Sequence, residues 1–241
     1  MRLVFASNNA HKLSEVRDIM PAGVEVLSLK DIGFEQEIEE NGTTLEENSR
    51  IKAETVADFI NDRLMNGDAT LNGVNGVFAD DTGLEIDALD GKPGVYTARW
   101  YLTDKRMKGL KDEREVFAAN RAKALRELEG KEDRGAQFRT VITLAFASLV
   151  HVPKPCFGRE YSGAPLSPEI KISGDPKFIQ VEGIVRGRIA EEEYGEGGFG
   201  YDPVFIPEGY DKTFGELPAE IKNGISHRAR ALAELVKLLK R

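Results

Sequence analysis

The sequence contains a single cysteine, Cys156, among its 241 residues. One cysteine cannot form an intrachain disulfide, which fits a reducing compartment, and any metal site must be built from oxygen ligands or the three histidines. Long hydrophobic runs are also lacking. The most apolar stretch, VITLAFASLV at 141–150, is too short for a membrane span, and the start MRLVFASNN has no signal-peptide core. The sequence therefore predicts a cytoplasmic protein.

Positive charge is scarce: 33 Lys and Arg residues stand against 41 Asp and Glu residues, a formal net charge of −8. Non-specific binding to nucleic acids depends on many Lys and Arg contacts to phosphates, so this balance argues against a nucleic-acid surface. A small anion can still bind at a locally basic site. The phosphate-binding patterns G-x-x-x-x-G-K-[ST] and G-x-G-x-x-G are both absent from strand-to-helix junctions.

Apolar periodicity predicts strands that alternate with helices, hence an α/β protein with a mixed sheet. Strands are predicted at residues 2–6, from 77, from 138 and from 178, and helices after residue 9, from 44, over about 112–129 and over the last fifteen or so residues. The segments 61–75 and 151–177 are rich in loop-forming residues, so we expect two irregular insertions there.

Residues 76–86 read GVFADDTGLEI, which predicts a strand ending in two adjacent carboxylates, a Thr-Gly turn and a second strand. Adjacent carboxylates repel each other, so a positive group is expected nearby. Because neighbouring side chains of an extended chain point to opposite faces, Asp80 and Asp81 are not expected to chelate one ion symmetrically. One would face a site and the other would support it. The alternative is a structural turn that Asp81 closes around Gly83.

Three further segments allow a functional and a structural interpretation. SNNAHK at 7–12 opens a helix, where backbone N–H groups and Lys12 can bind phosphate, but Ser7 or Asn9 can equally be a simple cap. GGFGYDP at 197–203 permits close backbone approach to a ligand and aromatic stacking, or else Phe199 belongs to the core and Tyr201 to the surface. KNGISHR at 222–228 places cations at a helix start, which indicates a facing anion or acceptor, or a solvated Arg.

Glu47 also has two interpretations. Thr44 and Glu47 have the spacing of a capping box, which explains Glu47 as part of a helix start. Mg²⁺ prefers oxygen ligands and keeps several waters, so one Asp, one Glu and a substrate phosphate would suffice to bind it. Glu47 is thus also a candidate metal ligand.

Taken together, SNNAHK, LEENSRIKA, FADDTGLEIDALDGKPGVYTAR, GGFGYDPVF and KNGISHRARAL resemble, in order and spacing, the inosine triphosphate pyrophosphatase family over nearly the whole chain. The resemblance implies an α/β fold with an elongated central mixed β-sheet flanked by helices, in a single domain of two lobes with the active cleft between them. It implies Mg²⁺-dependent cleavage of ITP, dITP and XTP to the monophosphate and pyrophosphate by a homodimer, with no nucleic-acid or membrane partner.

The resemblance also implies roles for individual residues. Those implied to bind substrate are Ser7, Asn8, Asn9, Ala10, His11, Lys12, Lys52, Thr82, Phe199, Gly200, Tyr201, Asp202, Lys222, His227 and Arg228. Glu47 and Asp81 would hold the metal, and Asp81 would be the general base. Asp80 would tune its neighbour or act as a second ligand, and the assignment between the two aspartates stays open.

The base preference has a physical basis. Hypoxanthine and xanthine offer an acceptor at O6 where adenine offers a donor, so donors from His227, Arg228 or the backbone would reject ATP more strongly than GTP. Two other functions fit the same segments: a pyrophosphatase acting on pyrimidine or modified nucleotides, and a nucleotide sensor that does not cleave.

Overall fold

The computed structural model describes residues 1–103, 110, 112–146, 170–171 and 178–239. The helices in this part are α1 (Ala10–Ile19), α2 (Leu45–Met65), α3 (Glu113–Glu127), α4 (Ala219–Ile225) and α5 (His227–Leu239). The strands are β1 (Arg2–Phe5), β2 (Glu25–Leu27), β3 (Val74–Ile86), β4 (Lys92–Gly94), β5 (Gly135–Phe146), β6 (Ile170–Lys171), β7 (Phe178–Ile189) and β8 (Phe205–Pro207). None of the helices within these ranges has both the length and the hydrophobicity needed to cross a bilayer.

The strands form one mixed sheet in the order β2-β1-β3-β5-β7-β6, with β4 beside β3 and β8 beside β7. β1 runs parallel to both β2 and β3, so Leu3 lies opposite Val26 on one side and Gly76 on the other. β4 is antiparallel to β3, and β6 and β8 are antiparallel to β7. This sheet, with its flanking helices, confirms the predicted α/β class.

The chain divides into two compact units whose boundaries fall inside β3, β5, β7 and α5. The first comprises Met1–Asp81, Thr140–Gly183 and Arg228–Arg241, and the second comprises Thr82–Arg139 and Ile184–His227. The boundary in β3 separates Asp81 from Thr82.

The first unit buries apolar side chains on both faces of its strands. Along β3, Val77 packs in a cluster with Val56 of α2, whereas Phe78 packs in a second cluster with Leu232 of α5. Because successive side chains of a strand alternate between faces, α2 lies on one face of β3 and α5 on the other. α1 shares the face of α5 through Val16.

The second unit has its own core, in which Phe138, Phe205 and Phe214 pack ring against ring. The centroids of Phe138 and Phe205 are 4.7 Å apart, and those of Phe205 and Phe214 are 5.3 Å apart. α3 contributes Ala124 to the same cluster and is followed by Leu128, and both are fully buried. The helix is therefore fixed to this core through its apolar face.

The structure corrects the turn predicted at Thr82 and Gly83, because β3 continues through both residues to Ile86. Two interactions hold the extended backbone beyond the aspartates. The N–H of Leu84 donates to Thr97 Oγ1 at 2.8 Å, and residues 84–86 pair with β4. The proposed turn closed by Asp81 is therefore wrong.

The irregular segment predicted at 61–75 is shorter than expected, because α2 continues to Met65. Arg63, in the last turn of α2, pairs with Asp68 just beyond the helix and so connects the following loop to that turn. β3 then begins at Val74, which leaves residues 66–73 as the connector. The segment predicted as irregular at 151–177 lies outside the described residues, except for Ile170–Lys171 in β6.

A buried polar network anchors the start of α2 to the sheet of the first unit. Ser49 Oγ lies 2.7 Å from Thr143 Oγ1 and donates to the Glu46 carbonyl at 3.1 Å. Gln180 Nε2 donates to the same carbonyl and to Thr143 Oγ1, both at 2.9 Å. Ser49 and Thr143 are fully buried, so their hydroxyls depend on each other for hydrogen bonding.

Replacing Thr143 by Val keeps the shape of the side chain but removes the hydroxyl that joins Ser49 to Gln180. We expect Thr143→Val to lower the free energy of unfolding by about 1–2 kcal/mol, because the buried Ser49 and the partly buried Gln180 each lose one partner. Urea unfolding measures this. The double variant Ser49→Ala with Thr143→Val should lose less than the sum of the single variants, and simple additivity would contradict the network.

Candidate active site

Asp80 is almost completely buried, at 2% exposure, between cations from two helices. Its Oδ1 accepts from Lys12 Nζ of α1 at 3.0 Å, and its Oδ2 accepts from Arg228 Nε of α5 at 3.1 Å. Arg228 also pairs with Glu15, through Nη1. The positive group expected near the two aspartates is therefore present, and for Asp80 it is two cations.

These partners decide the charge of Asp80. Burial works to raise the pKa of this carboxyl, but Lys12 and Arg228 together hold it well below its ordinary value. Asp80 consequently stays ionised at any physiological pH, and it is unsuited to taking up a proton. Burial lowers the pKa of Lys12, whereas Asp80 and Glu15 outweigh burial and raise that of Arg228. Arg228 Nη2 is buried and has no hydrogen-bond partner within the described residues.

Asp81 points to the opposite face of β3, toward α2. Lys52 Nζ donates to Asp81 Oδ1 at 3.2 Å and to Glu40 Oε2 at 3.0 Å, so one ammonium group serves two carboxylates. The other oxygen, Asp81 Oδ2, is buried and has no hydrogen-bond partner among the residues described. We call this oxygen open in the sense that it has no hydrogen-bond partner among the described residues, and such a carboxylate oxygen can accept a proton or bind a cation.

The electrostatic balance at Asp81 is the reverse of that at Asp80. Burial raises the pKa of Asp81, and Glu40 raises it further, while Lys52 opposes both and does not outweigh them. The pKa of Lys52 is raised, because Asp81 and Glu40 outweigh its burial. Asp81 is thus the more basic of the two neighbouring aspartates and the one with an open oxygen, which are the properties of a general base.

Glu47 lies at the start of α2 and acts there as the sequence pattern predicts. Its N–H donates to Thr44 Oγ1 at 3.1 Å, and its Oε2 accepts from the N–H of Thr43 at 2.6 Å and from Thr43 Oγ1 at 2.9 Å. The hydrogen bond from the Thr43 backbone is the main reason that the pKa of Glu47 is lowered. These contacts support the capping interpretation and leave the metal-binding role a prediction.

The described part of the chain contains no group of three or more His, Cys, Asp or Glu side chains placed to surround a metal ion. A divalent cation here would therefore take only part of its ligands from the protein. The open Oδ2 of Asp81 fits such an ion, and Glu40, whose side chain is 34% exposed, is the carboxylate that shares Lys52 with it. Phosphate and water oxygens would complete the coordination, as Mg²⁺ prefers.

Sequence reasoning missed Glu40 and Glu15. Glu40 lies in the acidic run EQEIEENG at 35–42, which contains several equivalent carboxylates and no recognised spacing. Its pairing with Lys52 depends on how the loop before α2 folds back. Glu15 lies one helical turn after Lys12 on α1, and that spacing was the available signal.

The SNNAHK segment forms the N-terminus of α1, with Asn9 as the cap. Asn9 Oδ1 accepts from the N–H of Lys12 at 3.0 Å, and Ser7 Oγ accepts from the N–H of Asn9 at 3.2 Å. The capping interpretation is thus confirmed for Asn9, whereas Ser7 bonds the N–H of the cap residue instead. Lys12 is not simply solvated, because it pairs with Asp80. Asn8, Ala10 and His11 are exposed in this first turn. Their contact with phosphate stays a prediction.

In the second unit, Asp202 organises the glycine-rich loop. Its Oδ2 accepts from the N–H of Phe199 and from Lys222 Nζ, both at 2.7 Å. The ammonium of Lys222 also lies 5.3 Å from the centroid of the Phe199 ring. Gly198 has a φ of +75°, and a Cβ there would overlap the Asp202 carboxylate, so only glycine fits this turn. The fold therefore brings Phe199, Asp202 and Lys222 together.

The other predicted residues of this unit lie in different surroundings. Tyr201 is buried in the core, where its hydroxyl donates to the Thr97 carbonyl at 3.2 Å and burial raises its pKa. His227 is buried and stacks on Phe138, with ring centroids 4.8 Å apart. The carbonyl of Gly200 accepts from Arg121, and Thr82 lies partly exposed on β3. The alternative that Phe199 belongs to the core and Tyr201 to the surface is therefore wrong, because Tyr201 is buried and Phe199 is partly exposed.

Residues 3–238 match the sequence profile of the Ham1 family. The chain is 41% identical over 239 residues to the dITP/XTP pyrophosphatase of Bacillus subtilis, covering 98% of this chain and 96% of that protein. It is 38% identical to the dITP/XTP pyrophosphatase of Flavobacterium johnsoniae over 239 residues, with 99% and 98% covered.

Solved structures agree with these matches. The Staphylococcus aureus Ham1 protein superposes with a TM-score of 0.71 at 32% identity, covering 100% of this chain and 98% of that one. The HAM1 protein from Coxiella burnetii gives a TM-score of 0.73 at 30% identity, also covering 100% and 98%.

The opposite environments of the two aspartates predict opposite effects on stability. Asp80→Asn should lower the free energy of unfolding by about 3–5 kcal/mol at neutral pH, because it removes the buried anion that pairs with Lys12 and with the buried Arg228. The folded pKa of Asp80 is depressed, so its stabilisation is present above the unfolded value of about 3.9 and is lost as the pH falls below it. Urea unfolding should therefore show the difference from the wild type narrowing below about pH 4.

Asp81→Asn serves as the matched comparison. The folded pKa of Asp81 is raised, so its stabilising protonated form is lost as the pH rises, and the ionised carboxylate opposes folding at neutral pH. Asparagine imitates the neutral form, and we expect a free energy of unfolding at least equal to that of the wild type. Equal destabilisation by the two substitutions would contradict the assignment of Asp80 as a stabilising anion and of Asp81 as a carboxylate whose ionised form opposes folding.

Proposed function

The chain belongs to the Ham1 family, whose profile it matches over residues 3–238, and we propose that it hydrolyses dITP, ITP and XTP to the nucleoside monophosphate and pyrophosphate. The observation that carries the proposal is the open, buried Oδ2 of Asp81 beside Lys52. The name dITP/XTP pyrophosphatase shared by the Bacillus subtilis and Flavobacterium johnsoniae relatives supports a nucleoside triphosphate pyrophosphatase activity.

Asp81 would act as the general base. A water molecule loses a proton to Oδ2 while its oxygen forms a bond to the α-phosphorus, and the bond from that phosphorus to the bridging oxygen breaks. Pyrophosphate then leaves with the electron pair of that bond. The raised pKa of Asp81 supports this role, because a carboxylate of higher pKa accepts the proton more readily.

The phosphates would be held by cations and by the start of α1. Lys12 and Lys52 each have three N–H donors, of which the structure shows one or two engaged by carboxylates. α1 begins at Ala10, after the Asn9 cap, and the first backbone N–H groups of a helix favour negative charge. These groups would align the triphosphate and stabilise the charge on the departing pyrophosphate.

Asp81 and Glu40 would hold a divalent cation, for which we propose Mg²⁺. Glu47 is the alternative second ligand, but its Oε2 is already used in two hydrogen bonds to Thr43. When bound, the ion would supply neutralisation of negative charge on the phosphate oxygens.

The purine base would be recognised by donors and by the partly exposed ring of Phe199. A purine can stack on this ring, and Lys222 beside it supplies an ammonium donor suited to an acceptor at O6. Arg228 Nη2 is a buried donor with no hydrogen-bond partner in the part of the chain that the structure describes, and it and His227 remain predicted contacts of the base. Adenine presents a donor at the corresponding position, so ATP would be disfavoured. The homodimeric state and cytoplasmic location implied by the family resemblance belong to the same proposal.

Product analysis tests the activity and the base preference together. With Mg²⁺ present, we expect pyrophosphate from dITP, little from dATP and an intermediate amount from dGTP, with orthophosphate followed separately. Asp81→Asn should lower kcat by about 10²–10⁴-fold, the usual contribution of a general base. Asp58→Asn, an exposed change on α2, is the matched control. Orthophosphate as the product would refute cleavage at the α-phosphorus, and no product with retained dITP binding would favour the sensor.

Paired substitutions test the metal ligands. If Glu40 binds the ion, Glu40→Gln should raise the Mg²⁺ concentration for half-maximal rate by about tenfold or more, since a neutral amide is a poorer ligand than a carboxylate. Glu47→Gln should leave that concentration nearly unchanged, and Glu39→Gln, an exposed neighbour of Glu40, serves as the control. The reverse order, with only Glu47→Gln affected, would return the metal role to Glu47.

A further inference from the structure

Helix α3 contacts the glycine-rich loop of the second unit through two side chains four residues apart. The ring of Phe117 lies 6.0 Å from the ring of Phe199, centroid to centroid. Arg121 Nη1 donates to the Gly200 carbonyl at 2.9 Å, and Arg121 Nε lies 2.9 Å from a Glu193 carboxylate oxygen. Because residues i and i+4 share one face of a helix, a single face of α3 contacts two consecutive loop residues.

The loop needs such contacts from outside itself. Gly198 and Gly200 have φ angles of +75° and +62°, in the region that glycine adopts freely and other residues avoid. A backbone with this freedom has many conformations of similar energy. The position of the Phe199 ring, between the two glycines, therefore depends on side chains that bond to or pack against the loop. Asp202 holds the N–H of Phe199 from within the loop, and Arg121 holds the next carbonyl from α3.

We propose that Arg121, supported by Phe117, is a positioning residue for purine-base binding in this enzyme. By fixing the carbonyl of Gly200, it holds the Phe199 ring where a base can stack, and it does not itself contact the reacting phosphate. A Glu193 carboxylate oxygen lies 2.9 Å from Nε and supplies an opposite charge beside the guanidinium, without a hydrogen bond to Nε. This inference rests on the proposed function, since it assigns base recognition to Phe199.

Arg121 is not needed to hold α3 in the fold. The helix is anchored by the buried Ala124 and by Asn120, whose Oδ1 accepts from the N–H of Tyr101 at 2.7 Å and whose Nδ2 donates to the Ala98 carbonyl at 3.0 Å. Removing the Arg121 donors should therefore release the loop while the helix stays fixed.

The test compares Arg121→Gln with Arg121→Lys and with Arg114→Gln, an exposed change on the same helix. Dissociation constants are measured for dIMP and for inorganic pyrophosphate, and kcat and KM for dITP and dATP. A charge-assisted hydrogen bond is worth about tenfold or more in an equilibrium constant, so Arg121→Gln should weaken dIMP binding and raise KM for dITP by about tenfold. Pyrophosphate binding should not change, kcat should stay within about twofold, and Arg121→Lys should be intermediate.

Each contrary outcome has a distinct meaning. Equal weakening of dIMP and pyrophosphate binding would reveal a general structural defect and overturn the positioning role. Behaviour of Arg121→Gln identical to that of Arg114→Gln, in an enzyme whose wild type cleaves dITP, would overturn the inference alone. A wild type that releases no pyrophosphate from dITP and does not bind dIMP would overturn the proposed function and this inference with it.

Discussion

Two consecutive residues of an extended strand cannot share one counter-ion, because their side chains point to opposite faces of the sheet. Asp80 and Asp81 therefore take their cations from different helices. Lys12 and Arg228 reach Asp80 from α1 and α5, and Lys52 reaches Asp81 from α2. Helices on both faces of β3 must each place a basic residue level with the pair. The packing of the helices on the first unit thus also determines the charge environment of the two carboxylates.

The two carboxylates have the same chemistry and differ in burial, with 2% of the Asp80 side chain and 13% of the Asp81 side chain exposed, and their proton affinities move in opposite directions. Asp80 has two cations for its two oxygens, while Asp81 shares one cation with Glu40 and keeps one oxygen open. The number of partners therefore decides which aspartate remains an anion and which can exchange a proton. Keeping Asp81 buried and incompletely paired opposes folding, and proteins tolerate such groups mainly at functional sites.

Local patterns predicted the elements well, because strand alternation, helix periodicity and caps depend on neighbours in the sequence. Asn9 and Thr44 cap α1 and α2 as their residue types indicate. The Thr-Gly turn failed because a distant partner, Thr97, and the β4 pairing keep β3 extended. Ion pairs between residues far apart in the sequence could not be predicted from local patterns either. Arg228 is separated from Asp80 by 148 residues, so only the family resemblance, and no local spacing, placed both in one site.

The loop at 197–203 shows why a motif alone does not define a binding surface. Its glycines permit the backbone to turn under Asp202, but the same freedom leaves the Phe199 ring without a unique position. Helix α3 restores that position with Phe117 and Arg121, which no sequence pattern singled out because each looks like an ordinary helix residue. The contacts that fix this loop thus come both from Asp202 within it and from Arg121, which is 79 residues from Gly200 in the sequence.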